Sequence, residues 1–144
     1  MAEIVALTRQ ESMNPLRLAA ERFVVATQQS NGGLLGFGQL EPKPSAQNKQ
    51  FLELRTMIVK PEHRQRGVGK ALLGELLRRG AATDIFLTTI SRQAGFYMRQ
   101  GFTEVPLGLS TVPGCMLFEV AAGLVVARLA AKDRLVVLKR PRDG

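Results

Sequence analysis

The stretch from Ile58 to Leu73 constrains this chain most, because it combines a strand end, a basic loop and a helix start. An apolar run leads into it, and Pro61 ends that strand because proline has no N–H to give to a sheet ladder. From Val68 onward the apolar residues recur at helical spacing. A helix start offers free backbone N–H groups and partial positive charge, so residues 60–70, the phosphate loop, are predicted to bind a phosphate group.

Two common phosphate-binding motifs do not fit this loop. A Walker A loop needs a first glycine and a closing Ser or Thr, but Arg64 and Ala71 stand at those positions. A dinucleotide fingerprint accepts Gly67 and Gly69 but is broken at Leu72, where it needs Gly or Ala. What remains is an Arg-x-x-Gly-x-Gly pattern that directly follows a strand.

This pattern resembles the acetyl-coenzyme A signature of the GCN5-related N-acetyltransferase (GNAT) family, Gln/Arg-x-x-Gly-x-Gly/Ala. A second segment, from Phe96 to Phe102, resembles the family's Phe/Leu-Tyr-x-x-x-Gly-Phe stretch. The resemblance covers roughly residues 20–105. It implies an α/β (α+β) fold, in which helices flank a mixed, mostly antiparallel sheet with a splayed central strand pair. Residues 1–144 are expected to form a single N-acetyltransferase domain.

The resemblance also implies where coenzyme A binds. The strand before the loop would hold the pantetheine arm through its backbone, although its side chains are equally well explained as core. The loop would wrap the pyrophosphate through main-chain N–H groups, with two arginines adding charge. Many members carry an Asn at the position of Ile90; here Ser91 takes over its contact, or the contact is absent. The implied donor-binding residues are Met57, Ile58, Val59, Arg64, Gln65, Arg66, Gly67, Val68, Gly69, Lys70 and Ser91.

Two catalytic residues are implied by the same resemblance. Tyr97, the only tyrosine, would protonate the departing thiolate; the alternative is a half-buried packing aromatic. Glu53 stands where some members hold a catalytic glutamate and would act as the general base. The alternative for Glu53 is a surface carboxylate paired with Arg55, in which case the amine loses its proton to a water chain.

Composition narrows the remaining classes. The net charge of +8 suits an anionic ligand, whereas the few aromatics argue against nucleic-acid binding. With one His and one Cys, Cys115, the chain is not expected to hold a metal or a disulfide framework. No apolar run is long enough to span a bilayer. We expect a cytoplasmic location, or an organelle after loss of a transit peptide.

Patterning along the chain predicts the other elements. Residues 2–12 have a loose helical period, and Arg22 to Gln28 with Leu34 to Leu40 form a hairpin. A loop is expected from Glu41 to Lys49. The segment from Cys115 to Ala131 fits a helix, with a strand as the alternative. Strands are also predicted at 51–59, 84–90, 102–105 and 134–139, and helices at 68–79 and 91–100. No clear first strand precedes the hairpin, so the N-terminal element is expected to be shortened or irregular.

The sequence therefore predicts an acetyl-coenzyme A-dependent N-acetyltransferase that acts on a primary amine by direct attack. One alternative is a non-catalytic coenzyme A-binding sensor, and another is a basic nucleic-acid-binding module. The acceptor stays open among protein N-termini, lysines, polyamines, aminoglycosides and small metabolites. The resemblance also allows a homodimer, since family members are often dimers.

Overall fold

The computed structural model describes residues 1–11, 18–44, 50–108, 112–128 and 132–143. These residues contain four helices: α1 (Ala2–Gln10), α2 (Val68–Arg79), α3 (Ser91–Met98) and α4 (Leu117–Val126). They also contain six strands: β1 (Phe23–Thr27), β2 (Leu34–Lys43), β3 (Phe51–Val59), β4 (Ile85–Ile90), β5 (Thr103–Val105) and β6 (Leu135–Arg140). Hydrogen-bonded neighbours follow the order β1-β2-β3-β4-β6-β5. The mixed sheet with flanking helices confirms the predicted fold class.

Most predicted elements are confirmed within one or two residues, and β3 and α2 keep their predicted bounds. The segment after Cys115 is a helix rather than a strand. The predicted loop at Glu41 begins later, because β2 continues to Lys43. Glu41 and Lys43 in this extension of β2 are buried and ion-paired, while Pro42 between them is exposed. Residues 45–49 of the predicted loop and residues 129–131 of the predicted helix lie outside the described residues.

The chain divides into two compact units, and the first comprises residues 1–41 and 54–80. Its apolar core is formed by Ile4, Leu7, Phe23, Phe37 and Ile58. Glycines of β2 allow close packing here. A Cβ on Gly36 would lie 2.6 Å from the Ile58 carbonyl oxygen, and one on Gly38 would lie 2.7 Å from Leu76 Cδ1 of α2. The two glycines thus leave room on one face of β2, which allows Leu76 of the helix after the phosphate loop to pack closely.

The second unit comprises residues 42–53 and 81–144. Strand β6 pairs antiparallel with β4 from Ile85–Arg140 to Ile90–Leu135, and β5 pairs with its other edge. Strands β3 and β4 pair in parallel through Leu52 with Ile85 and Glu53 with Phe86, as the strand-helix-strand order predicts. The core cluster is Phe51, Phe86, Val112, Met116, Val120, Ala127, Leu135 and Val137. The late strand β6 therefore sits between two earlier ones, which periodicity along the chain does not reveal.

None of the helices in the described ranges is both long enough and apolar enough to cross a membrane.

Candidate functional site

The phosphate loop adopts a backbone that glycine makes possible. A short 3₁₀ turn spans Pro61–His63, and α2 then begins after Gly67, whose φ is 82°. A side chain at Gly67 would meet no atom within 4 Å, so the backbone angle rather than crowding requires glycine. Gln65 also has a positive φ of 59°. Left-handed geometry at a non-glycine residue is costly and is often found at functional loops.

The first turn of α2 presents unused hydrogen-bond donors. Its N-cap residue Gly67 has no side chain to cap the helix, and the turn holds no acidic residue. The first amide with an intrahelical acceptor is that of Ala71, which donates to the Gly67 carbonyl at 3.0 Å. The amides of residues 68–70 have no acceptor among the described residues, and the turn is exposed or half-exposed. An anion of phosphate size finds here the donors and the helix-end charge that it prefers.

Three of the cationic side chains of the loop, Arg64, Arg66 and Lys70, have different surroundings. Arg64 donates from Nε to the Val59 carbonyl at 2.9 Å and pairs with Glu11 at 2.8 Å. It therefore ties the loop to the end of α1, and Glu11 offsets its charge. Arg66 and Lys70 are exposed and pair with no acidic group in the part of the chain that the structure describes. The attractive charge for a ligand comes mainly from these two residues.

The predicted pantetheine-binding residues form the end of β3. Ile58 is buried in the core of its unit, while Met57 and Val59 are half-buried. Beyond the strand, the Lys60 amide donates to the Leu35 carbonyl at 2.9 Å, which holds the start of the loop against β2. The side chains thus serve the core, as the alternative interpretation holds. Their backbone role in donor binding stays a prediction.

In the second unit, Tyr97 lies near the end of α3 among aromatic rings. Its ring centroid is 5.1 Å from that of Phe96 and 6.0 Å from that of Phe102, both in edge-to-face geometry. The hydroxyl has no hydrogen-bond partner within the described ranges, and burial raises the pKa of the phenol to about 12. The phenol therefore stays protonated at physiological pH.

The raised pKa can be measured directly, because Tyr97 is the only tyrosine and the chain has no tryptophan. We expect phenolate absorbance near 295 nm to appear with a midpoint near pH 12 when it is read milliseconds after a pH jump. The guanidinium-unfolded chain should titrate near pH 10. Because the folded pKa is the higher one, the associated stability is present below pH 10 and is lost as pH rises from 10 to 12. Equal midpoints in the two states would contradict the buried phenol.

Ser91, the first residue of α3, is held by a residue far away in sequence. Its Oγ donates to Asp133 Oδ1 at 2.6 Å, and the Arg92 amide donates to Asp133 Oδ2 at 3.3 Å. These bonds, with one from the Arg134 amide, hold the pKa of the Asp133 carboxyl below its usual range. Asp133 thus caps α3 in place of Ile90, whose side chain cannot. Whether Ser91 also contacts coenzyme A stays a prediction.

Glu53 is buried rather than on the surface. Its exposed fraction is 3%, and Lys43 Nζ lies 3.0 Å from its carboxylate. The alternative of a surface carboxylate paired with Arg55 is wrong in this respect. Arg55 instead pairs with Glu41 at 3.3 Å, because β2 extends far enough to place two ionised side chains beside β3. A carboxylate in this environment is not in direct contact with bulk solvent.

Replacing Lys43 by Met should destabilise the protein by about 3–5 kcal/mol, because it removes one member of a buried ion pair. Urea unfolding followed by far-ultraviolet circular dichroism measures this change. Lys60→Met is the matched control: it removes the exposed pair with Glu3, and we expect a loss of about 1 kcal/mol or less. Similar losses in the two variants would show that the Lys43–Glu53 pair is not the buried pair described.

Comparison with known proteins decides the family. The model of the acetyltransferase (GNAT) domain matches residues 19–104, more than half of the chain. The chain belongs to the GNAT acetyltransferase family. Its activity class is therefore acetyl-coenzyme A-dependent N-acetyl transfer, which confirms the functional class predicted from the two motifs. The phosphate loop and the Tyr97 segment of this GNAT protein both lie within the matched residues.

Solved structures show the same fold. Rv2747 from Mycobacterium tuberculosis, in complex with CoA and NLQ, superposes with a TM-score of 0.65 at 20% identity, over 98% of this chain and 95% of that one. Arabidopsis thaliana NAA60 in complex with a bisubstrate analogue superposes with a TM-score of 0.64 at 15% identity, over 99% of this chain and 92% of that one. The NatB acetyltransferase complex bound to CoA and MES superposes with a TM-score of 0.61 at 14% identity, over 85% of this chain and 74% of that one. No curated protein matches the chain.

Sequence reasoning missed several residues that shape these regions. Asp133 is 42 positions from Ser91, Glu11 is 53 positions from Arg64, and neither carries a local motif. The burial of Lys43 had a weak signal, since Glu41 and Lys43 alternate with Pro42 as in a strand.

Proposed function

We propose that this GNAT protein transfers the acetyl group of acetyl-coenzyme A directly to a primary amine. The observation that carries the proposal is the exposed start of α2, where Gly67 in the left-handed region leaves three amides without described acceptors. A diphosphate ester fits this arrangement better than a neutral ligand, because Arg66 and Lys70 add positive charge beside it. The coenzyme A bound in the related solved structures supports the same ligand.

In the proposed reaction the amine nitrogen attacks the thioester carbonyl carbon. The N–C bond forms, the C–S bond breaks, and the coenzyme A thiolate takes the phenolic proton of Tyr97. The nitrogen releases its proton to solvent, and Tyr97 is reprotonated from solvent. A phenol with a pKa of about 12 is fully protonated when the thiolate leaves. A bisubstrate analogue joins both substrates, and its complex with Arabidopsis NAA60 supports direct attack without an acyl-enzyme.

We assign the deprotonation of the incoming ammonium ion to water rather than to direct contact with Glu53. Glu53 is almost fully buried, and its carboxylate is ion-paired with Lys43. A general base must lie within hydrogen-bond reach of the proton that it removes, or act through one water. Glu53 keeps a role in the proposal only through such a water.

The experiment is acetyl-coenzyme A turnover over a panel of amines, with acetylated products identified by mass spectrometry. We expect thiol release that depends on the amine and matches the product formed. A sensor would bind acetyl-coenzyme A without amine-dependent release. A nucleic-acid-binding module would show salt-sensitive DNA or RNA binding and no affinity for coenzyme A. Either result would overturn the proposed reaction.

A further inference from the structure

A charged cleft of about 730 Å³ lies in the second unit, outside the two motifs that identify the family. It is formed where α4 ends and β6 begins. Its lining is Leu124, Arg128, Lys132, Asp133, Arg134 and Leu135. The two leucines give it an apolar part, and the remaining four side chains are of charged types. A cavity of this size can hold a small molecule, and a lining with four charged side chains favours a charged one.

Two cationic side chains of the cleft have no acidic partner among the described residues. Arg134 forms a pair with Glu104 at 2.6 Å, and Asp133 is already bonded to Ser91 and to two backbone amides. Arg128 and Lys132, by contrast, are exposed and have no partner within the described ranges. Lys132 also has a φ of 49°, in the left-handed region that lysine rarely adopts. Backbone angles of this kind are often found at functional sites.

The cleft lies beside the start of the helix that carries Tyr97. Leu135 pairs with Ile90 at the carboxyl end of β4, and the Ser91 amide donates to the Arg134 carbonyl at 2.8 Å. Asp133, which lines the cleft, caps α3 through Ser91 and Arg92. Tyr97 is six residues further along α3, about 9 Å along the helix axis at 1.5 Å per residue. The cleft and the helix that carries Tyr97 are therefore neighbours within the second unit.

We propose that this cleft binds an anionic group of the acceptor, so that the acceptor is a primary amine that also carries a carboxylate or a phosphate. This inference rests on the proposed function. Arg128 and Lys132 attract the anion, and Leu124 and Leu135 pack against the apolar linker between anion and amine. The same two cations repel polycationic amines, so polyamines and aminoglycosides are poor acceptors.

The test uses four amines of similar length that differ at the far end. They are 6-aminohexanoate, 5-aminopentyl phosphate, the neutral 6-aminohexanamide and the cationic 1,6-diaminohexane. Calorimetric binding to the coenzyme A-saturated protein and acetyl transfer are measured for each. The carboxylate and phosphate arms show which anion the cleft prefers. The variants are Arg128→Gln and Lys132→Asn, since asparagine tolerates the left-handed region. Arg9→Gln, an exposed arginine of α1, is the matched control.

We expect the anionic amines to bind best and each cleft variant to weaken their binding roughly tenfold, with the neutral amide and Arg9→Gln unaffected. Binding of the amide or the diamine that equals or exceeds that of both anionic amines would overturn the proposal. So would binding of the anionic amines that both variants leave unchanged, or no binding of either anionic amine. Anionic amines that bind in the cleft but are never acetylated would overturn the proposed function and leave the anion site standing.

Discussion

Gly67→Val is expected to abolish the thermal stabilisation that acetyl-coenzyme A gives the wild-type protein. Valine disfavours the positive φ of 82° at this position, so the loop would rearrange and the amides of residues 68–70 would no longer converge on a phosphate. For the wild type, a ligand at 100 times its Kd adds about 2.7 kcal/mol, which is several degrees in Tm for a chain of this size. Differential scanning fluorimetry with and without acetyl-coenzyme A measures both shifts.

Two further variants separate the effect of the backbone angle at Gly67 from a general loss of helix stability. Gly74 lies on the exposed face of the same helix with open space around it, so Gly74→Val should keep the wild-type shift. Gly67→Asn should keep part of the shift, because asparagine accepts the left-handed conformation better than valine does. A wild-type shift in Gly67→Val would remove the phosphate loop from the donor site.

Tyr97→Phe is expected to lower kcat by about 100-fold or more, with the KM for acetyl-coenzyme A changed by less than about threefold. Phenylalanine keeps the ring contacts with Phe96 and Phe102 and removes only the hydroxyl, which has no partner in the described part of the chain. The loss would therefore report on proton donation to the thiolate rather than on packing. Steady-state kinetics at saturating amine give both constants.

A matched variant of the same aromatic cluster provides the control. Phe96→Leu disturbs the ring contact with Tyr97 but keeps the hydroxyl, so we expect a modest loss of stability and a kcat close to that of the wild type. A wild-type kcat in Tyr97→Phe would exclude Tyr97 as the acid. An equal loss in Phe96→Leu and Tyr97→Phe would assign the effect to packing.

Local patterns predicted most of the fold. Strand β3 and helix α2 were delimited by an apolar run, by Pro61 and by helical spacing from Val68, since these features act over a few residues. The antiparallel hairpin followed from the two neighbouring runs, Arg22 to Gln28 and Leu34 to Leu40. The insertion of β6 between β4 and β5 did not follow, because strand order depends on contacts between distant segments.

In the candidate site, too, local features were predictable and contacts between distant segments were not. The loop at the start of α2 was predictable, because the end of the strand at Pro61 and the helical spacing from Val68 are local signals. The surroundings of Glu53 were not predictable, since the alternation of a strand shows which residues share a face but not what covers it. Its partner Lys43 lies on another strand, and the loop between them contains no motif.

The sequence by itself determined the donor: a strand, a loop with Gly67 and Gly69, and an aromatic segment with Tyr97 place this chain among the GNAT acetyltransferases. These features are local, because steric limits and helix-end dipoles act within one turn. Only the tertiary structure decided which charged side chains form ion pairs and which stay available to a ligand. It paired Arg64 with Glu11 and buried Glu53 against Lys43, while Arg128 and Lys132 were left beside an open cleft. Ion pairing depends on which distant segments meet, and that information exists only once the chain is folded.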